Sequence, residues 1–107
     1  MTPVNQFTYE QIKTVVRSFF PEARVLLFGS RARKDSRSDS DFDLLVIIEK
    51  TLPVRDKMSW RSKINKALVE TLHLPFDVLL NSQDEVDEKK ELPGHVVRWA
   101  VKEGVIL

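Results

Sequence analysis

Two apolar runs, 24–28 and 42–48, flank the stretch G-S-R-A-R-K-D-S-R-S-D-S-D, and this arrangement constrains the chain more than any other part of it. The first run ends in Gly29-Ser30, and Asp41-Phe42-Asp43 opens the second. Strand side chains alternate faces, so Asp41 and Asp43 share one face while Phe42 turns to the core. Two carboxylates held about 5 Å apart at an effective dielectric near 20 repel by roughly 3 kcal/mol. A cation between them removes that cost. Hard oxygen ligands suit Mg²⁺, which shares its other positions with water and substrate phosphates. Gly29-Ser30 offers the matching half: glycine lets a phosphate approach the backbone, and free N–H groups opening a following helix, with the Ser30 hydroxyl, favour an anion. The sequence thus predicts a metal site on Asp41 and Asp43 beside a phosphate site on Gly29 and Ser30.

Three other readings of the stretch are weaker. Asp39-Ser40-Asp41 alone would be an ordinary solvated turn, because Ser and Asp bond their own backbone there. Asp39, Asp41 and Asp43 imitate the opening of an EF-hand, but that loop needs Gly and a terminal Glu where Leu44 and Lys50 stand. A P-loop would need a second glycine followed by lysine after Gly29, and the chain has neither in place.

Gly-Ser, ten intervening residues and Asp-x-Asp on a strand resemble the DNA polymerase beta nucleotidyltransferase superfamily. The written form G-S-R-A-R followed by S-D-S-D-F-D-L-L-V resembles its smallest members, the minimal nucleotidyltransferases, along the whole chain. Lys34 departs from them, since a glycine often stands there. The resemblance implies a small mixed-sheet α/β fold like the polymerase beta palm, with helices packed on the sheet. It implies transfer of AMP, or another nucleoside monophosphate, from a nucleoside triphosphate such as ATP, with two Mg²⁺ ions (or Mn²⁺) as cofactors. It also implies a role for Arg33: a basic residue three places beyond the motif serine can reach the triphosphate, and a guanidinium fork matches phosphate geometry. Arg31 and Lys34 are read as solvated charges.

The remaining sequence reads as support. Thr8 and Gln11 suggest a capping box for a first helix whose apolar face is Ile12, Val15, Val16, Phe19 and Phe20, stopped near Pro21. Pro53 opens a long helix to about Leu72, with Met58, Ile64, Leu68 and Leu72 inward, Arg55, Lys57, Arg61 and Lys63 outward, and Trp60 packing at its edge. Pro75-Phe76-Asp77-Val78-Leu79-Leu80 is a third strand with an acid at its start. The long helical connection permits a right-handed crossover that makes the second and third strands parallel neighbours, so that Asp77 faces Asp41 and Asp43 as a third catalytic and metal-binding carboxylate. The first strand must then run antiparallel to the second. The charge run D-E-V-D-E-K-K-E reads as a solvated loop or short helix without chemistry. His95 to Glu103 forms the last helix, closed by Gly104 at C′. Val105-Ile106-Leu107 either tucks into the core or meets a partner. His73 and His95 read as surface or capping residues.

With 107 residues, a single domain spanning 1–107 is expected, built on about three main strands. Seventeen basic against sixteen acidic side chains, net +1, argue against a nucleic-acid footprint. The absence of cysteine excludes disulfides and thiolate metal sites. The opening residues 1–6 suggest no signal peptide and no apolar stretch reaches membrane-spanning length, so a cytoplasmic location without a membrane partner is expected. By resemblance the acceptor is a hydroxyl, a tyrosine on a partner HEPN-domain toxin, with this chain as antitoxin. The alternative is an antitoxin that neutralises its partner by binding alone. Retention of all three acids favours the enzyme, since a contact surface needs no metal claw.

Overall fold

The computed structural model describes residues 6–33 and 40–107. Residues 1–5 and 34–39 lie outside that description, and with them the readings of the opening residues, of Lys34 and of Asp39. Helix α1 (Gln6–Phe19) leads into β1 (Arg24–Phe28), the single turn α2 (Ser30–Arg33) and β2 (Phe42–Ile48). Helix α3 (Val54–Leu72) connects to β3 (Phe76–Ser82), followed by α4 (Gln83–Lys89), α5 (Val96–Glu103) and β4 (Val105–Ile106).

The sheet runs β3-β2-β1-β4 and is mixed. β1 lies antiparallel to β2 and to β4, while β2 and β3 are parallel through the α3 crossover, as the strand spacing predicts. Period-2 alternation divides the sheet cleanly. Val25, Leu27, Phe42, Leu44, Val46, Phe76, Val78 and Leu80 share one buried cluster with Ile12 and Val16 of α1 and Ile64 and Leu68 of α3. Leu26, Phe28, Leu45 and Ile47 face the other way, against Val86 of α4 and Val97 and Ala100 of α5. β2 is buried on both faces because it has a strand on each side and helices above and below. No helix among the described residues is long and apolar enough to cross a membrane.

Several expectations require correction. The first helix is already formed at Gln6, ahead of Thr8, so Thr8-Gln11 does not begin it. Met58 is 65% exposed, because the inward stripe of α3 narrows to Ile64 and Leu68 where the helix meets the sheet. Lys57 is half-buried and reaches Glu85 of α4, while Arg61 is exposed as expected yet also reaches the β3 backbone at Val78. Trp60 does pack at the helix edge, its ring meeting Phe19 and Phe20 edge-on. The charge run forms α4, with a full capping box between Ser82 and Glu85.

Gly104 ends α5 in extended backbone rather than the left-handed form, at φ −69° and ψ 150°. Glycine is needed there for room, since a Cβ would stand 2.2 Å from the Ala100 carbonyl oxygen. The chain then adds β4, a fourth strand beyond the three expected. His73 and His95 are caps as anticipated: His73 closes α3 in left-handed backbone, and the His95 Nδ1 accepts from the Val97 N–H at the start of α5.

Candidate active site

The phosphate half of the site begins where β1 ends. Gly29 has φ +74°, and a Cβ there would lie 2.2 Å from the Asp43 Oδ2 oxygen, so both backbone conformation and space demand glycine. The Gly29 carbonyl accepts the Ala32 and Arg33 N–H groups, each at 3.1 Å, which winds α2 directly off the strand with Ser30 as its first residue.

Strand register brings the acids to the same edge. Phe28 pairs with Asp43, and Asp43 pairs with Asp77 across the parallel ladder. Asp43 and Asp77 alternate with residues of the α1–α3 cluster, so they occupy the face on which α4 and α5 pack. Asp41 stands exposed just before β2, two residues from Asp43 and near enough for its charge to act on it. Phe42 between them is fully buried and stacks on Phe76, with ring centroids 5.3 Å apart. Partial burial, the charges of Asp77 and Asp41, and that of Glu103 push the Asp43 carboxyl above its ordinary range, with Arg33 opposing. Asp77 and Asp41 thus act electrostatically on Asp43.

The donor set suits a hard divalent cation, and Asp43 lies against the bare Cα of Gly29, so a cation on Asp43 and a phosphate on the Gly29 turn would be neighbours. Among the described residues no three such side chains are drawn tightly enough together to enclose an ion. Asp77 contributes to this looseness: its carboxylate pairs with Arg61 at 3.5 Å. A cleft of about 310 Å³ opens beside it, between α3 and β3, with Arg61, Ser62 and Asn65 on one wall and Phe76 and Asp77 on the other.

Three side chains at this edge were not anticipated. Arg31, read as a solvated charge, donates from Nε and Nη2 to the Ser40 carbonyl at 3.2 and 3.0 Å and stacks over Phe42, 4.4 Å from the ring centroid. It ties α2 to Ser40, just ahead of β2. Glu103, at the end of α5, accepts through Oε1 from both the Gly29 N–H and the Arg33 guanidinium, each at 3.1 Å. Arg61 completes the set. Only spatial neighbours mark Glu103 and Arg61, because in sequence each is one charge on a helix rich in charges.

The family model of the nucleotidyltransferase domain matches residues 9–107. No curated protein matches the chain. Among solved structures it is similar to a toxin-antitoxin crystal structure with AMP-PNP, at 19% identity and TM-score 0.68 over 91% of this chain and 69% of that one. It is also similar to a structure described as a candidate minimal nucleotidyltransferase, at 22% identity and TM-score 0.64 over 95% and 94%. A third likeness is to a Shewanella oneidensis complex of tri-AMPylated HEPN toxin with MNT antitoxin, at 20% identity and TM-score 0.57 over 94% and 69%. These likenesses show a shared fold.

Proposed function

The chain belongs to the nucleotidyltransferase domain family, and from that premise we propose that it transfers AMP from ATP to a tyrosine hydroxyl of an HEPN-domain toxin, acting as the antitoxin of the pair. The observation that carries the reading is the meeting, at one sheet edge, of the Gly29-Ser30 turn with Asp41, Asp43 and Asp77. The likeness to complexes holding AMP-PNP and a tri-AMPylated toxin supports the donor and the acceptor class.

Asp41, Asp43 and Asp77 would hold two Mg²⁺ ions, or Mn²⁺, which when bound supply charge neutralisation on the triphosphate and a lowered pKa for the acceptor hydroxyl. Gly29, Ser30 and Arg33 hold the β- and γ-phosphates. The acceptor enters by the cleft beside Asp77, whose carboxylate exchanges its pairing with Arg61 for a place at the acceptor oxygen and helps to receive its proton. The acceptor oxygen bonds to the α-phosphorus in line, the bond from that phosphorus to the bridging oxygen breaks, and pyrophosphate leaves. Positioning and charge compensation carry most of the rate.

The test is to incubate the purified pair with ATP and Mg²⁺ and weigh the intact toxin. AMP-sized increments that vanish with Asp41→Asn and Asp43→Asn are expected. A toxin that stays unmodified, yet is inhibited equally well by those variants, would instead establish neutralisation by contact alone.

A further inference from the structure

Glu103 sets one carboxylate oxygen against two of the donors that the proposed function assigns to the departing phosphates. Its Oε1 lies 3.1 Å from the Gly29 nitrogen and 3.1 Å from Arg33 Nη1. Carboxylate and phosphate oxygens are both anionic acceptors that an N–H and a guanidinium bind in the same way. The placement is electrostatically odd for a mere tie, because it adds a negative charge to an edge that already holds Asp41, Asp43 and Asp77.

We infer that Glu103 occupies the phosphate position of the nucleotide-free site and that the triphosphate binds by displacing it. This rests on the reading that Gly29 and Arg33 hold phosphate. The arriving triphosphate takes over both donors and repels the carboxylate, whose side chain is 23% exposed and so has an open path outward. The backbone beneath it is pinned: the Gly104 N–H bonds the Ala100 carbonyl at 2.8 Å, and β4 pairs with β1 immediately afterwards. Displacement is therefore a swing of the Glu103 side chain, with α5 left intact. A site whose competent state is only partly populated shows an affinity reduced by that fraction. Removing the Glu103 charge should accordingly tighten ATP binding by about three- to tenfold, as expected for a charge-assisted bond to the half-exposed Arg33.

The experiment is calorimetric titration of the wild type, Glu103→Gln and Arg33→Ala with ATP and Mg²⁺, and separately with pyrophosphate and Mg²⁺. Tighter binding of both ligands by Glu103→Gln, alongside weaker binding by Arg33→Ala, is the expected result. Unchanged or weaker binding by Glu103→Gln, with Arg33→Ala still weakened, makes Glu103 a positioning tie and overturns the inference alone. An Arg33→Ala protein that binds both ligands like wild type overturns the inference together with the phosphate assignment beneath it. A melting comparison provides an independent readout. Glu103→Gln should melt lower than wild type without ligand and level with it at saturating ATP and Mg²⁺; an equal deficit in both conditions would also refute displacement. Glu103→Asp, too short to reach both donors, serves in the same titrations should the glutamine variant fail to fold.

Discussion

At the Phe42 and Phe76 end of the parallel β2–β3 pair, Asp43 and Asp77 stand opposite one another with Asp41 close by and Glu103 approaching from α5. At the other end the same two strands finish in Ile48 and in buried Asn81 and Ser82. There Lys57 reaches Glu85 at 2.8 Å and Asn81 at 3.1 Å, Lys89 reaches Asn81 at 2.8 Å, and the Ser82 and Thr51 hydroxyls are hydrogen-bonded at 2.6 Å. Glu85 thus has two cations within reach, Lys57 and Lys89, and buried Asn81 and Ser82 each have a hydrogen-bond partner. The two carboxylates that typify the ends are displaced in opposite directions. Burial and the neighbouring acids raise Asp43. Burial alone would raise Glu85 too, but the Lys57 ammonium and the Ser82 N–H, with Lys89, hold it below its ordinary range. The lesson is that Glu85 is offset by cations of the chain itself, whereas among the described residues Asp43 faces more acids than cations, an imbalance that a bound cation would redress.

The largest effect expected from that contrast concerns turnover. Asp41→Asn and Asp43→Asn should lower nucleotidyl transfer by at least about 10³-fold, while Glu85→Gln, the same chemical change at the balanced end, should stay within about twofold below its melting temperature. Rates of AMP incorporation into the partner compare them directly, and an inactive, folded Glu85→Gln would break the contrast. Next in size, Asp77→Asn should cut the rate by about 10²-fold with far less loss of ATP affinity, if Asp77 serves the acceptor as proposed. Affinity and rate falling together would make Asp77 a ligand of the nucleotide's metal in the ground state.

Stability effects are smaller and opposite in sign. Glu85→Gln should cost about 1–2 kcal/mol in denaturant unfolding through the lost Lys57 bond, since glutamine can still accept the Ser82 N–H of the capping box. Ligand-free Asp43→Asn should gain up to about 0.5 kcal/mol, since it removes repulsion at a largely solvated position. The smallest effect is its pH dependence, measured with chelator present. Asp43, with its folded pKa raised, is unstrained below the ordinary carboxylate range and destabilises as pH rises through the folded pKa. Glu85, with its folded pKa lowered, stabilises above the ordinary range and loses that contribution as pH falls through its folded pKa. Falling pH should therefore shrink both the advantage of Asp43→Asn and the deficit of Glu85→Gln. Differences that stayed constant from neutral pH into the acid range would detach both residues from the contrast.

The site's strands were legible in sequence because alternation is a local property. Residues 24–28 and 42–48 declared their ends through Gly29 and Asp41, and the length of the α3 connection was enough to imply the parallel pairing that sets Asp77 opposite Asp43. What escaped reading was chosen by tertiary partners. Glu103 acts on Gly29 from 74 residues away. Lys57 and Arg61 sit on a helical face that looks polar, and is, but also meets α4 and the sheet edge. β4 contains two residues, too few for any period to show.

The register of β2 and β3 also orders events in time. Partners in that ladder, such as Asp43 and Asp77, are 34 positions apart, whereas Phe28 and Asp43 are separated by 15. Closing the longer loop costs more chain entropy and comes with the slower, non-local part of folding. A chain that has formed only its β1–β2 hairpin carries the Gly29 turn and two acids but lacks the third. On the proposed reading, the third acid joins the site only with a pairing of longer range than the hairpin that forms the Gly29 turn.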